Sequence, residues 1–423
     1  MDISRLKGFR EFLPDEMEAR RRVFEVMRQT ALSFGFGEVD MPSLERLDLF
    51  RVKSGEEIVE QTFSFVDKGG REVTLIPELT PALARIVAHR KDLQKPVRWF
   101  SIPKIWRYEE PQSGRLREFY QFNADIFGSS SIYADAEVIA LAMEILHRLG
   151  LAGKFQMRIS DRYMMEAILR EFGDVDVDRA FRAIDKIGRA DEGWIQNELI
   201  SAGIPDPDEF MGFISSHGGQ EVLDDIEAAY PSTRPRCERL RDLMSLLDAY
   251  GYREHVVDLS IVRGLAYYTG VVFEAHDAKG EFRAILGGGR YDTVVKLFGG
   301  EDTPAVGFGM GDAVLELLMR REGVWPEERF SPDVFVASAG AREYAIEVAM
   351  KLRREGFRVE MDLSGKGLSK QLRYASRRGI PFVVIVGDRE MEKGVAVLRD
   401  MAAGTQEEVP LKDLPALLRG RLP

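Results

Sequence analysis

Ile261-Val262-Arg263-Gly264-Leu265-Ala266-Tyr267-Tyr268-Thr269-Gly270 and, after a short hairpin, Leu286-Gly287-Gly288-Gly289-Arg290-Tyr291-Asp292 frame the stretch around which the 423-residue chain is organised. The aliphatic run before Arg263 predicts a buried strand. Residues 271–274 and 281–286 predict two more, joined by a turn at Asp277-Ala278-Lys279-Gly280. An arginine, two tyrosines and three consecutive glycines thus gather at strand ends. Glycines there free the backbone and admit a ligand closely. An arginine ending a buried strand calls for an anion, and phosphate or carboxylate suits its fork. The plain alternative is a structural Arg–Asp pair beside a tight turn.

Outward from this centre, residues 97–127 carry the next signal. Residues 97–108 read as a strand, 109–115 as a loop and 118–127 as a returning strand. A period of two puts Phe119, Gln121, Asn123 and Asp125 on one face and Tyr120, Phe122, Ala124 and Ile126 on the other. The second is an ordinary apolar face. The first is costly if buried dry, so it meets water or lines a polar ligand site. Arg107, Arg115 and Arg117 flank the loop, as a nucleotide-phosphate site requires. Earlier, residues 60–76 predict a hairpin turning at Lys68-Gly69-Gly70. Glu78 and Thr80 then point the same way at the start of a helix, a pair able to hold an ammonium group; alternatively Thr80 caps the helix and Glu78 faces solvent.

The remainder supplies the frame. Residues 14–34 predict a helix and 38–41 a short strand; residues 135–149 predict a helix with Ala136, Ile139, Ala140, Met143 and Leu146 inward. Residues 160–250 read as an acidic, mostly helical insertion. Residues 304–311 read as a glycine-spaced strand, flat enough for a ligand ring, followed by a helix at 312–320. A linker at 322–332 leads to a small α/β domain with a mixed sheet, its strands at 334–338, 358–361, 382–387 and 395–399 and its helices at 343–355, 368–378 and near Leu414. Lys366, Lys370, Arg373 and Arg377 are spaced for one helix face, either a solvated face or a docking surface.

Composition narrows the classes. Hydrophobic content of 45% and charged content of 30% are those of a soluble globular protein. No apolar run reaches the roughly eighteen residues of a membrane span, and Met1-Asp2-Ile3-Ser4-Arg5 opens no signal peptide. The single cysteine, Cys237, excludes an internal disulfide and a cysteine-built zinc site, and the five histidines lack ligand spacing. These features predict a cytoplasmic protein. Net charge is −11, yet residues 332–423 hold 16 Lys+Arg against 13 Asp+Glu, so a mildly basic tail follows an acidic body. That asymmetry suits a polyanion partner.

Taken jointly, these stretches resemble the histidyl-tRNA synthetases, a family of class II aminoacyl-tRNA synthetases. Phe36-Gly37-Glu38-Val39-Asp40-Met41-Pro42 is similar to class II motif 1, whose elements form a dimer interface. Arg107-Tyr108-Glu109 through Phe119-Tyr120-Gln121-Phe122 is similar to motif 2. The two central stretches resemble the segments peculiar to the histidine enzymes. The resemblance implies an α+β fold. A class II antiparallel sheet with flanking helices would occupy residues 1–325, with the helical insertion at about 160–250. An α/β anticodon-binding domain would occupy 326–423. It implies ATP-dependent activation of histidine, transfer to the 3′ end of histidine tRNA, a homodimer, and magnesium accompanying ATP.

Residue roles follow from the same resemblance. Glu78 would bind the α-ammonium of histidine, Thr80 would orient the amino acid, and Gln121 would touch its carboxylate region. Asp125 and Tyr268 would hydrogen-bond the imidazole, with Tyr267 and Tyr291 as walls; a polar pair of this kind rejects isosteres lacking the ring nitrogens. Arg107 and Arg263 would hold the ATP α-phosphate from opposite sides, Phe119 would stack on adenine, and Arg115 would reach the β- and γ-phosphates. Gln112 would meet the tRNA acceptor end, and Lys366, Lys370, Arg373 and Arg377 would face RNA.

Three positions depart from the family's habit. Ala266 stands where an acidic residue is frequent, Asp125 where glutamate is, and Val314 where motif 3 usually ends in an ATP-holding arginine. ATP binding is then expected to lean on other groups, Arg320 or Arg115, or to be weaker. Val314 also favours a rival, a histidine-binding regulatory subunit of ATP phosphoribosyltransferase. The tail domain, Arg107 and Arg263 oppose it. A bare RNA-binding sensor is opposed by the two-domain layout without a further partner domain.

Overall fold

The computed structural model of the protein describes residues 3–54, 57–188, 190–262, 268–327 and 330–422. It falls into two compact units, Met1–Phe12 with Ala19–Glu327, and Leu13–Glu18 with Glu328–Pro423. Arg263, Ala266 and Tyr267 lie outside the described residues.

The first unit is built on a ten-stranded sheet. Its central strands run antiparallel in the order Val97–Ser101, Glu118–Phe127, Ala305–Gly311, Leu286–Arg290, Val271–Asp277 and Phe155–Asp161. Parallel pairs flank them on both sides, Gly37–Glu38 beside Val97–Ser101 and His255–Asp258 beside Phe155–Asp161, and His217–Gly218 lies antiparallel outside His255–Asp258. The helix Ile132–Arg148 covers one face. Its N-terminus is capped by the Ser131 hydroxyl, which accepts the Tyr133 N–H. Ala136, Ile139, Ala140, Met143 and Leu146 recur at helical spacing and are fully buried. Phe122, Ala124 and Ile126 meet them in the same core, as the alternation predicts. Between Phe155–Asp161 and His255–Asp258 run the helices from Arg162–Glu171 to Arg234–Ala249. Their apolar faces continue that core through Ile168, Ala180, Leu199 and Phe210.

The centre of the chain differs from expectation in three ways. The first strand ends at Asp258, because the Asp258 carboxylate takes the N–H and hydroxyl of Ser260 and turns the chain. Residues 281–285 are not a strand: Asp277 accepts the N–H groups of Glu281 and Phe282 and holds this segment off the ladder. The three glycines end no strand. They form the interior of Leu286–Arg290, fully paired on both sides. Their need is close approach rather than unusual dihedrals. A Cβ on Gly288 would stand 2.3 Å from the Gly307 carbonyl oxygen and 2.6 Å from the Phe273 ring.

The second unit carries a five-stranded mixed sheet. Val359–Met361, Val334–Ser338 and Phe382–Val386 are parallel; Val395–Asp400 and Gln406–Pro410 continue it antiparallel. Helices Arg342–Arg354 and Leu414–Arg421 bury one face, and Leu368–Arg377 the other. Two elements escape the sequence reading: Gln406–Pro410 and the helix Asp388–Lys393. Both are polar, and among Gln406–Pro410 only Val409 is buried, so no apolar period marks them.

Candidate active site

A cavity of about 700 Å³ opens on the sheet face away from the Ile132–Arg148 helix, and Phe119, Gln121, Asn123 and Asp125 form one wall. Room for these polar side chains comes from the neighbouring strand. Gly307 lies opposite Asp125, and Gly309 opposite Asn123. A Cβ on Gly309 would fall 1.8 Å from Gln121 Nε2, and one on Gly307 would fall 2.4 Å from Asp125 Oδ1. The glycine spacing at 304–311 thus clears space for the protein's own polar face.

At one end stand Asp125, Tyr268 and Tyr291, all buried. The Tyr291 hydroxyl donates to Asp125 Oδ1. Burial and then the Asp125 charge push that hydroxyl well above its ordinary range, so it stays a proton donor. The Tyr268 and Tyr291 rings meet at 66° with centroids 6.3 Å apart. Glu78 and Thr80 line the same cavity. Thr80 opens the helix Thr80–His89, but no side chain caps that helix, and Glu78 is buried. The cap-and-solvent alternative for this pair does not hold.

At the other end stand the arginines. Arg107 donates from Nε to the Pro77 carbonyl at 2.9 Å, and its guanidinium lies 5.6 Å from the centre of the Phe119 ring. Arg115 hydrogen-bonds Glu109. Burial raises the Glu109 carboxyl, but the Arg115 hydrogen bond and the charges of Arg107, Arg115 and Arg283 outweigh it and hold the group below its usual range. Gln112 and Arg115 close a tight loop on each other, and Gln112 Oε1 accepts from Arg283 Nη2 at 2.8 Å. Arg283 belongs to the segment expected as a strand, and a lone arginine among apolar residues gives no signal there.

Val314 lines the cavity. It packs on the 109–115 loop, where a Cβ on Gly114 would come within 2.9 Å of its Cγ2. Arg320 does not take the place of the missing arginine. It pairs with Glu316 at 2.8 Å, stacks 4.8 Å from the Trp325 ring, and lines no part of the cavity. Arg115 does line it. Arg290 answers the structural reading of its stretch. Its Nε lies 2.6 Å from the fully buried Asp135, and its Nη atoms donate to the Ser129 and Ser131 carbonyls. Burial pushes the Asp135 carboxyl up to about 6, against the pull of Arg290 and Arg239.

In the second unit Lys370, Arg373 and Arg377 share an exposed face of the helix Leu368–Arg377. Lys366 precedes that helix; its backbone N–H is held by Asp362 Oδ2 at 2.6 Å, so helical spacing does not place it on the face.

Residues 8–312 match the family model for histidyl-tRNA synthetase, and residues 333–421 match that for the anticodon binding domain. A histidine–tRNA ligase of Thermoplasma volcanium is 46% identical over 427 residues, spanning 99% of both chains. One from Natronomonas pharaonis is 46% identical over 426 residues, spanning 97% of this chain and 96% of its own. The crystal structure of histidyl-tRNA synthetase from Nostoc sp. PCC 7120 superposes with a TM-score of 0.81 at 26% identity, covering all of both chains. The fold is also shared, with a TM-score of 0.76 and 24% identity over 92% of this chain and 99% of the other. That other is a Bacillus halodurans protein described as an ATP phosphoribosyltransferase regulatory subunit/histidyl-tRNA synthetase. On the family match and these identities, the chain belongs to the histidyl-tRNA synthetase family.

Proposed function

We propose that the protein is a histidine–tRNA ligase, converting histidine and ATP to histidyl-adenylate and pyrophosphate and passing the histidyl group to the 3′ end of histidine tRNA. The observation that carries this reading is one cavity with an Asp125–Tyr291 pair at one end and Arg107 with Arg115 at the other. The first end suits a polar heteroaromatic ring, the second a polyphosphate.

Glu78 takes the substrate ammonium, with Thr80 and Gln121 orienting the carboxylate. Asp125 and Tyr268 take the imidazole nitrogens, and Tyr267 and Tyr291 wall it. The histidine carboxylate is already ionised at neutral pH and needs no general base. It attacks the α-phosphorus, and the bond to pyrophosphate breaks. Arg107 and Arg263 bear on the charge that develops at the α-phosphate, with Phe119 under the adenine and Arg115 on the outer phosphates. Magnesium would accompany ATP and would supply charge neutralisation at its phosphates. Among the described residues no group of three or more His, Cys, Asp or Glu is arranged to hold a metal. Glu109, a carboxylate of the cavity wall, would be the residue to meet such a complex.

A catalytic domain over residues 1–325, including the helices at about 160–250, and a tRNA-reading domain over 326–423 complete the layout. Gln112 meets the acceptor end, and Lys366, Lys370, Arg373 and Arg377 meet RNA phosphates. The protein acts in the cytoplasm as a homodimer. The small sheet of Leu44–Arg46, Ser64–Val66 and Glu72–Leu75 supports the dimer, because it leaves Leu44, Phe65 and Val66 exposed. Among the described residues no helix is long and apolar enough to cross a membrane.

The test is amino-acid-dependent ATP–pyrophosphate exchange across the standard amino acids. Exchange with histidine alone is expected. Histidine binding without exchange would overturn the ligase reading in favour of a histidine-binding regulatory protein.

A further inference from the structure

Three guanidiniums bear on one carboxylate at the phosphate end of the cavity: Arg107, Arg115 and Arg283 all act on Glu109. Arg107 and Arg115 belong to the motif 2 hairpin. Arg283 comes from another part of the chain, and its placement follows from local chemistry. Asp277 takes the N–H groups of Glu281 and Phe282 and is itself fixed by Arg321 at 2.7 Å. The chain is thereby turned off the sheet, and residues 281–285 line the cavity. Arg283 ends against the Gln112 side chain.

That contact is an amide oxygen on an exposed guanidinium. A phosphate oxygen makes a stronger, charge-assisted bond with the same donor. The helix Asp312–Arg321 cannot supply the cation instead. It presents Val314 to the cavity, while Arg320 is taken by Glu316 and Arg321 by Asp277 and Glu281.

We propose that Arg283 is a substrate-contacting residue that leaves Gln112 to bind the β- and γ-phosphates of ATP. It then stabilises the charge on pyrophosphate as the bond between the α-phosphorus and the bridging oxygen breaks. The histidine carboxylate oxygen forms the new bond to that phosphorus, and the electron pair leaves on pyrophosphate. The proposal rests on the ligase reading above and deepens it at one position. It also ties the motif 2 loop to nucleotide occupancy, because the bond to Gln112 and the bond to phosphate use the same guanidinium.

The experiment uses the full chain with Arg283→Gln and Arg283→Lys. Histidine-dependent exchange gives KM for ATP, pyrophosphate and histidine, and inhibition by AMP gives the affinity for a nucleotide without outer phosphates. R283Q is expected to raise KM for ATP and pyrophosphate by about tenfold or more, the loss of one charge-assisted bond. AMP inhibition and the histidine KM should stay near their original values, and R283K should recover part of the loss. A loop merely disturbed by the substitution would weaken AMP as much as ATP, and that result overturns the proposal. Unchanged ATP and pyrophosphate constants overturn it too, while leaving the ligase reading intact. No histidine-dependent exchange in the unsubstituted protein would overturn the ligase reading, and the proposal with it.

Discussion

Asp125 and Tyr291 set the character of the cavity end for which histidine is proposed. Tyr291 gives its proton to the carboxylate and is too deeply buried to ionise near neutrality. Asp125 is therefore fixed in place by Tyr291, and in the proposed reading it is the acceptor for a substrate N–H. Tyr291→Phe removes the hydroxyl and keeps the ring. A hydrogen bond to a charged group is worth about 1.5–3 kcal/mol, so the histidine KM should rise roughly ten- to hundredfold while the ATP KM holds. Because the tyrosine hydroxyl is pushed upward, its ionisation lies above the assay range. Between roughly pH 6 and 9 the histidine KM of the original chain should follow the substrate alone, bending near the imidazole's value of about 6.5 and again toward the alkaline end as the substrate ammonium held by Glu78 loses its proton. The alkaline bend should be the same in Tyr291→Phe; an alkaline bend that disappears with the hydroxyl would contradict the direction of the Tyr291 shift.

At the scale of elements, the strand Leu286–Arg290 is anchored from its end. Arg290 reaches under the start of the helix Ile132–Arg148 to Asp135, which also receives Arg239 at 2.8 Å. Asp135→Ala leaves two guanidiniums without their shared carboxylate, one of them deeply buried. Breaking a buried pair in this way costs about 3–5 kcal/mol, visible as a lower urea midpoint. The pH dependence has a defined sign. The folded carboxyl titrates at about 6 against an ordinary 3.8, so between those values the native state holds a proton that the unfolded chain releases. The contribution of Asp135 to stability is therefore largest below that window and declines as pH rises through it. The Asp135→Ala chain should lack this component when unfolding is compared at pH 4.5 and 6.5. A second element-scale prediction concerns Leu368–Arg377. Reversing charge at Lys370, Arg373 and Arg377 should weaken histidine tRNA binding. The salt dependence of the tRNA KM should flatten by about 0.7–0.9 log units per log unit of salt for each phosphate that is no longer neutralised. Reversing Lys366 alone, off the helix face, should cost less.

At the scale of the molecule, the exposed Phe65 and Val66 edge bears on assembly. Phe65→Asp with Val66→Asp should shift the particle to half its mass in sedimentation equilibrium, if that sheet joins two copies. The family and the sheet were legible in the chain because side chains alternate where a sheet has two different faces. Residues 118–127 declare both at once, polar toward the cavity and apolar toward the helix. What stayed hidden follows the same logic. Gly287, Gly288 and Gly289 carry no side chains to alternate, so the interior of a central strand reads as a strand end. The turn at Asp277 depends on one carboxylate taking two backbone N–H groups, a choice that residue type alone does not reveal. Arg283 is meaningful only once that turn has brought it opposite Gln112. The offset that linked Lys366 to Arg377 assumed a helix already under way at Lys366, two residues before the observed start.

The strand Ala305–Gly311 gives the cavity nothing but emptiness, with Gly307 and Gly309 ceding their volume to Asp125, Tyr291 and Gln121. Its other residues, Val306, Phe308 and Met310, face the buried core. The polar wall of the cavity is thus written on one strand with permission from the next. Sequence drift there is locked: a methyl group gained at 307 or 309 requires a smaller or redirected partner at 125, 291 or 121. These positions are sterically coupled, and a variant that reshapes this wall of the cavity has to alter both strands together.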